Sequence, residues 1–260
     1  MAYRSEFVSV GGTRTHMIRG GRGTPLLVLH PEFGAGKWFP YHEGLAAQFH
    51  VLAPDHPGFG KTERPDWLRD IDDVVFHYVE LLDALSLERV HVAGTSVGGW
   101  IAAELAVARP DRVGRLVLTA AAGIRVEGVT RFDVFINPIE ETLLHLFHDP
   151  ARAAQLVPST PTVDIVVQAY REAGSLARLA WNPYLYNPKL ERRLGRISAP
   201  TLILWGENDR FLPSEHAKAF VSRIPDARLH LIPDCGHLVP LEKTDEFVQE
   251  VRSFLSSDLQ

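Results

Sequence analysis

Short apolar blocks recur along the chain, each followed by a stretch with helical spacing. The blocks at residues 25–30, 50–55, 90–93, 113–121, 201–205 and 228–232 are apolar with little alternation, the pattern of strands covered on both faces. Two earlier runs, 5–10 and 13–18, flank Gly11-Gly12 and predict a β-hairpin. Between the blocks, apolar residues at 71, 74, 75, 78, 79, 81, 82 and 85 mark a helix over 72–85 that Asp70 or Asp72 can cap. Helices are also predicted over 37–48, 100–109, 214–224 and 244–255. Buried strands alternating with helices imply a mostly parallel twisted sheet wrapped on both faces, with the antiparallel hairpin at one edge.

The alternation stops over residues 124–195. That block holds helical stretches at 138–147 and 163–180, many prolines and aromatics, and no clear strand. Because the alternation resumes afterwards, the expected organisation is an α/β core made of 1–123 and 196–260, with 124–195 inserted as a helical cap over the sheet's C-terminal edge. In open α/β sheets, ligands bind at that edge.

Composition narrows the class. The chain has 260 residues, 45% of them hydrophobic, and a formal net charge of −5, which suits one substantial core and offers no basic stripe for nucleic acid. Cys235 is the single cysteine, so no intrachain disulfide forms. The first residues turn polar too early for a signal peptide, and no apolar run approaches the ~18 residues needed to span a bilayer. A cytoplasmic protein with no membrane or nucleic-acid partner is expected, and a homodimer is left open. His145 and His148 share a helical face, but no carboxylate or thiol completes a metal set. Residues 31–38 miss a Walker A loop at both ends, with Pro31 at the first glycine position and Trp38 after Lys37. Neither a metal nor a cofactor is expected.

The chemistry concentrates at Gly94-Thr-Ser-Val-Gly98, between the strand at 90–93 and the following helix. A shuffled chain of this composition would give roughly 0.07 matches to Gly-x-Ser-x-Gly; the strand–turn–helix context is what makes the match meaningful. The other strand ends present His30, Asp55, Asp209 and His237. Serine, aspartate and histidine therefore follow one another in the order of one serine-hydrolase class. Glu207 and Glu127 are the rival carboxylates to Asp209; His30, Asp55 and His56 are assigned to shaping their loops. Cys235 is read as a small buried filler.

These marks, with His30-Pro-Glu-Phe-Gly34 and Asp55-His-Pro-Gly-Phe-Gly60, resemble the α/β-hydrolase fold superfamily over nearly the whole chain. The nearest likeness is to small serine esterases and to the C–C bond hydrolases of aromatic ring-cleavage pathways. The resemblance implies Ser96 as nucleophile, His237 as general base and acid, and Asp209 as the group that orients it. It implies the N–H of Val97 as one oxyanion donor. Pro31 has no N–H, so by analogy the second donor falls to Glu32, with Phe33 as second choice. A carboxylate beside an oxyanion repels it, so the Glu32 side chain is expected to point away or be protonated.

Phe33, Phe135, Trp181 and Leu238 are the expected substrate contacts, and Arg125 and Arg178 are weaker candidates for a substrate carboxylate. The leading expectation is hydrolysis of carboxylic esters of small to medium, largely apolar small molecules. The alternative is C–C bond hydrolysis of vinylogous diketo acids, set second because tryptophan commonly follows the histidine in that family and Leu238 stands there here. A ligand receptor on the same fold is the third reading.

Overall fold

The computed structural model describes residues 3–156 and 161–257. In chain order its elements are β1 (Tyr3–Val10), β2 (Thr13–Gly20), β3 (Pro25–Leu29), α1 (Pro40–Ala46), β4 (His50–Pro54), α2 (Ile71–Ala84), β5 (Val90–Thr95), α3 (Val97–Ala108) and β6 (Val113–Thr119). Then come α4 (Ile139–Leu146), α5 (Pro150–Leu156), α6 (Val163–Ala180) and α7 (Leu190–Arg193). The chain ends in β7 (Thr201–Gly206), α8 (Glu215–Val221), β8 (Ala227–Ile232), α9 (Val239–Glu242) and α10 (Thr244–Ser256). The strands form one eight-stranded sheet in the order β1-β2-β4-β3-β5-β6-β7-β8. β1 and β2 are antiparallel, as are β2 and β4; every other neighbouring pair is parallel.

Strand periodicity builds two cores. Leu27, Leu29, Val92, Leu116, Leu118 and Ile203 face a cluster that includes α2, α3 and α8. Their neighbours Leu26, Val28, Ala93, Val117, Leu202 and Leu204 face the cluster of α1 and α10. Successive side chains alternate faces, so a strand apolar at every position feeds both layers. The chain leaves β3 towards β4 on one side and then enters β5 on the other. The C-terminal ends of β3 and β5 therefore meet at the switch point where α/β sheets form clefts.

Helix boundaries moved where local chemistry outweighed periodicity. α1 starts at Pro40, three residues after the expected start, because proline suits the first helical turn. α2 is capped by Asp70, whose carboxylate accepts from the Asp73 N–H at 3.1 Å. α3 begins at Val97 rather than Trp100, so Gly98 and Gly99 lie inside its first turn. Between β6 and β7 the structure holds α4 to α7 and, among the described residues, no strand beyond an isolated bridge between Gly123 and Tyr186. α5 was not foreseen: Pro150-Ala-Arg-Ala-Ala is too short to show a period. No helix among the described residues is long and apolar enough to cross a membrane.

Candidate active site

Ser96 sits between β5 and α3 with φ 52° and ψ −116°, a conformation that a non-glycine residue adopts only under constraint, at about 1–3 kcal/mol. The glycines around it explain how the turn is held. A Cβ at Gly94 would lie 2.2 Å from the Gly98 carbonyl oxygen, and one at Gly98 would lie 2.3 Å from that of Leu29. Strand, helix and the β3 loop thus touch through backbone alone. The N–H of Val97, in the first turn of α3, has no acceptor within the helix.

The Ser96 hydroxyl donates to His237 Nε2 at 2.8 Å, and His237 Nδ1 donates to Asp209 Oδ2 at 2.8 Å. The other oxygen of Asp209 accepts from the N–H groups of Phe211 and Leu212 at 2.9 and 2.8 Å, which fixes the carboxylate's orientation. Phe211 lies on the imidazole, with ring centroids 4.6 Å apart. Ser96 and His237 are each 0% exposed and Asp209 6%. Burial pulls the His237 pKa down, but the charge and hydrogen bond of Asp209, with a smaller pull from Glu32, together raise it above its ordinary value. A buried serine, an imidazole able to take its proton and a carboxylate that stabilises the imidazolium can perform nucleophilic attack on a carbonyl.

The rival carboxylates Glu207 and Glu127 are exposed. His30 is structural: its Nε2 accepts from the His56 N–H at 3.0 Å, and its ring lies tilted against that of His56, centroids 3.7 Å apart. Asp55 accepts from His16, Gly36 and Lys61. His145 stacks on Phe132 at 4.0 Å, and His148 faces Asp234. No group of three or more metal-type ligands gathers among the described residues. Cys235 is buried, and desolvation pushes its thiol pKa up.

The expected substrate contacts fall in different places. Phe33 packs partly buried against the core, and Leu238 is buried, its N–H donating to the Leu146 carbonyl at 3.1 Å. Phe135 and Trp181 pair at 5.1 Å, with Trp181 57% exposed. Arg125 is exposed and Arg178 is held by the Leu68 carbonyl at 2.9 Å, so neither is a buried cation.

Two residues that spacing did not single out are prominent. Glu242 accepts from the N–H groups of Gly236 at 2.6 Å, His148 at 3.1 Å and Asp149 at 2.7 Å. One carboxylate therefore ties the His237 loop to the end of α4. Its position five residues after His237, inside an apolar run, was the available signal. Arg131 is the other. It lies 5.2 and 5.5 Å from the Tyr184 and Tyr186 ring centres, and its Nη1 is buried with no hydrogen-bond partner among protein atoms. The adjoining Phe132 N–H donates to the Phe211 carbonyl at 3.2 Å, which places this segment against the residue whose ring packs on His237.

A second array shares the same residue types. Ser5 Oγ lies 2.8 Å from His16 Nε2, and His16 Nδ1 lies 2.8 Å from Asp55 Oδ2. It is built on β1, β2 and the end of β4, away from α3.

Comparison with known proteins identifies the family to which this fold belongs. The profile of the alpha/beta hydrolase fold matches residues 24–244. The chain is 30% identical to a 2-hydroxy-6-oxo-6-phenylhexa-2,4-dienoate hydrolase of Burkholderia cepacia, over 97% of this chain and 96% of that one. It is 30% identical to a 2-hydroxy-6-oxo-6-(2'-aminophenyl)hexa-2,4-dienoic acid hydrolase of Metapseudomonas resinovorans, over 98% and 92%. Among solved structures, a meta-cleavage product hydrolase from Pseudomonas fluorescens IP01 superposes with a TM-score of 0.80 and 26% identity, over 96% of this chain and 97% of that one. The chain belongs to the α/β-hydrolase fold family.

Proposed function

We propose that this chain is a serine hydrolase that adds water across a C–C bond next to a ketone, in a dienoate of the kind formed when an aromatic ring is opened. The single observation that carries the hydrolase reading is the continuous Ser96–His237–Asp209 relay at the β5–α3 turn. In it, Ser96 Oγ adds to the carbonyl carbon while its proton passes to His237 Nε2. The tetrahedral adduct collapses, the C–C bond breaks, and the departing carbon takes that proton. Water then repeats the sequence on the acyl-enzyme and releases a carboxylic acid. The N–H groups of Val97 and Glu32 are assigned to the oxyanion; one such donor typically contributes about 2.7–4 kcal/mol.

The choice of bond rests on the relatives, which favour the C–C reading over the ester reading that motif and composition ranked first. Arg131 supports it: a buried, unpartnered guanidinium nitrogen beside two tyrosines suits the carboxylate that a dienoate carries. Leu238 favours the ester reading as second, since tryptophan commonly follows the histidine in the C–C hydrolases. The segment 124–195 is assigned as a cap. It is joined to the body by Ser175 donating to the Gly58 carbonyl at 2.7 Å and Asn187 to Glu104 at 2.8 Å.

The test compares 2-hydroxy-6-oxo-6-phenylhexa-2,4-dienoate with short-chain aryl esters. A kcat/KM at least tenfold higher on the dienoate is expected; a higher value on the esters would reverse the ranking. Loss of both with Ser96→Ala is required by either.

A further inference from the structure

The carboxyl group of Glu32 takes no part in the bond-making steps above, yet both of its oxygens are buried without a hydrogen-bond partner among protein atoms. Glu32 is 3% exposed. Its charge is felt at His237, at His30 and at Tyr184, in each case as one of the smaller influences. The loop that carries it is pressed onto the Ser96 turn, where a Cβ on Gly98 would come within 2.5 Å of the His30 carbonyl oxygen. A carboxylate buried without a donor is strongly unfavourable. An isolated carboxylate beside a forming oxyanion also opposes the reaction. The first penalty is lifted, and the second eased, when a substrate brings a hydrogen-bond donor to this carboxyl.

We infer that Glu32 is a specificity-determining residue, whose buried, unpartnered carboxyl beside the Ser96 turn accepts a hydrogen bond from an amine or hydroxyl close to the substrate's reacting carbonyl. The proximity follows from covalent reach. If the Glu32 N–H serves the oxyanion, its carboxyl lies only three side-chain bonds from its own Cα, so the donor it meets must sit within a few bonds of the carbonyl carbon. An amine ortho to an aryl ketone or aryl ester meets that condition; a remote one does not. Arg131 and Glu32 then read opposite features of the substrate, an anion and a donor.

The inference rests on the serine-hydrolase reading but not on the choice of bond, so the test uses both bond types. The paired probes are the 6-phenyl and 6-(2'-aminophenyl) dienoates, and phenyl 2-methylbenzoate with phenyl 2-aminobenzoate. Wild type, Glu32→Gln, Glu32→Leu and Ser96→Ala are assayed on each. In wild type the ortho-amine member is favoured. Glu32→Leu cuts that preference by about 10- to 100-fold, the range for a hydrogen bond to a charged group. It does so partly by raising turnover of the probe that lacks the donor, because no unsatisfied carboxyl is then left beside it. Glu32→Gln, which keeps an acceptor, falls between.

A purely structural role would lower both members of each pair together. That result, or an unchanged ratio in both variants, overturns the inference. So does failure of folded Glu32→Leu to label at Ser96 with an organophosphonate, since the carboxyl would then be holding the site together. Turnover surviving in Ser96→Ala instead overturns the hydrolase reading.

Discussion

The two Ser–His–Asp arrays are alike in their distances and unlike in everything around them. In both, the serine oxygen is 2.8 Å from imidazole Nε2, and Nδ1 is 2.8 Å from a carboxylate oxygen. Ser96, however, occupies a left-handed conformation between a buried strand and a helix start, next to unpaired N–H groups. Ser5 lies exposed near the start of the edge strand β1. Asp209 gives its second oxygen to the loop that positions it. Asp55 joins three loop and strand segments through His16, Gly36 and Lys61. Hydrogen-bond geometry can therefore recur as an architectural joint. A nucleophile also needs pre-organised donors for the charge that develops and a buried place for the substrate.

The largest separation between the arrays is expected from the serines. Ser96→Ala should lower kcat by about 10⁶-fold on whichever substrate is turned over, as losing the nucleophile of such a relay does. Ser5→Ala should leave kcat/KM within about twofold, as for a surface change away from the chemistry. Steady-state assays with melting curves on both variants check this. A large catalytic loss in folded Ser5→Ala would mean that the second array is part of the machinery.

The carboxylates should separate rate from stability. Asp209→Asn is expected to cost about 10⁴-fold in kcat with the fold intact, because the amide favours the wrong imidazole tautomer. Asp55→Asn should leave kcat per folded molecule nearly unchanged but destabilise the chain. Leaving a buried hydrogen-bonding group unsatisfied typically costs about 1–3 kcal/mol, and both His16 and Asp55 are buried. Denaturant melts and active-site titration read the two effects separately. Asp55→Asn losing rate at full stability would erase the contrast.

This contrast also explains what the sequence could and could not disclose. The catalytic-type array follows from position: a Gly-x-Ser-x-Gly turn, then an aspartate and a histidine after later strands, in a fixed order. The strands themselves were legible because a strand buried on both faces is an uninterrupted apolar block. Ser5, His16 and Asp55 come together through strand pairing, and nothing local in β1 or β2 announces it. Glu242 was hidden for a related reason: it works by capturing N–H groups from two separate loops, one of them in the helical segment after β6. The unpartnered atoms of Glu32 and Arg131 are properties of burial, which a one-dimensional pattern assigns poorly for charged residues. For Glu32, electrostatics predicts a side chain turned away or protonated; the structure adds that it is buried.

Glu242 offers a smaller, graded test of the same distinction. Glu242→Gln keeps the size but weakens its grip on Gly236 and Asp149, loosening the loop that carries His237. A displacement of about 1 Å can cost up to about 100-fold in rate, so kcat should fall by 10- to 100-fold while organophosphonate labelling of Ser96 slows in parallel. His16→Gln, the counterpart on the structural side, should slow neither. Equal labelling rates in wild type and Glu242→Gln would show that the loop is positioned without it.

The finest distinction is in the pH profile. His237 must be neutral to accept the Ser96 proton, so kcat/KM falls as pH drops through its pKa. Burial alone would place that acid limb below the ordinary histidine value; Asp209, by charge and hydrogen bond, with Glu32 assisting, moves it above. Replacing Asp209 by asparagine removes the main upward contributions and leaves burial opposed only by the smaller pull of Glu32, so the limb of the residual activity should move to lower pH. Glu32→Gln should shift it in the same direction by less, since Glu32 is the smallest of the contributions. His16→Gln should not move it, because His16 is not among the groups that act on His237. A limb that follows His16 rather than Asp209 would transfer the titrating role to the other array and break the comparison at its root.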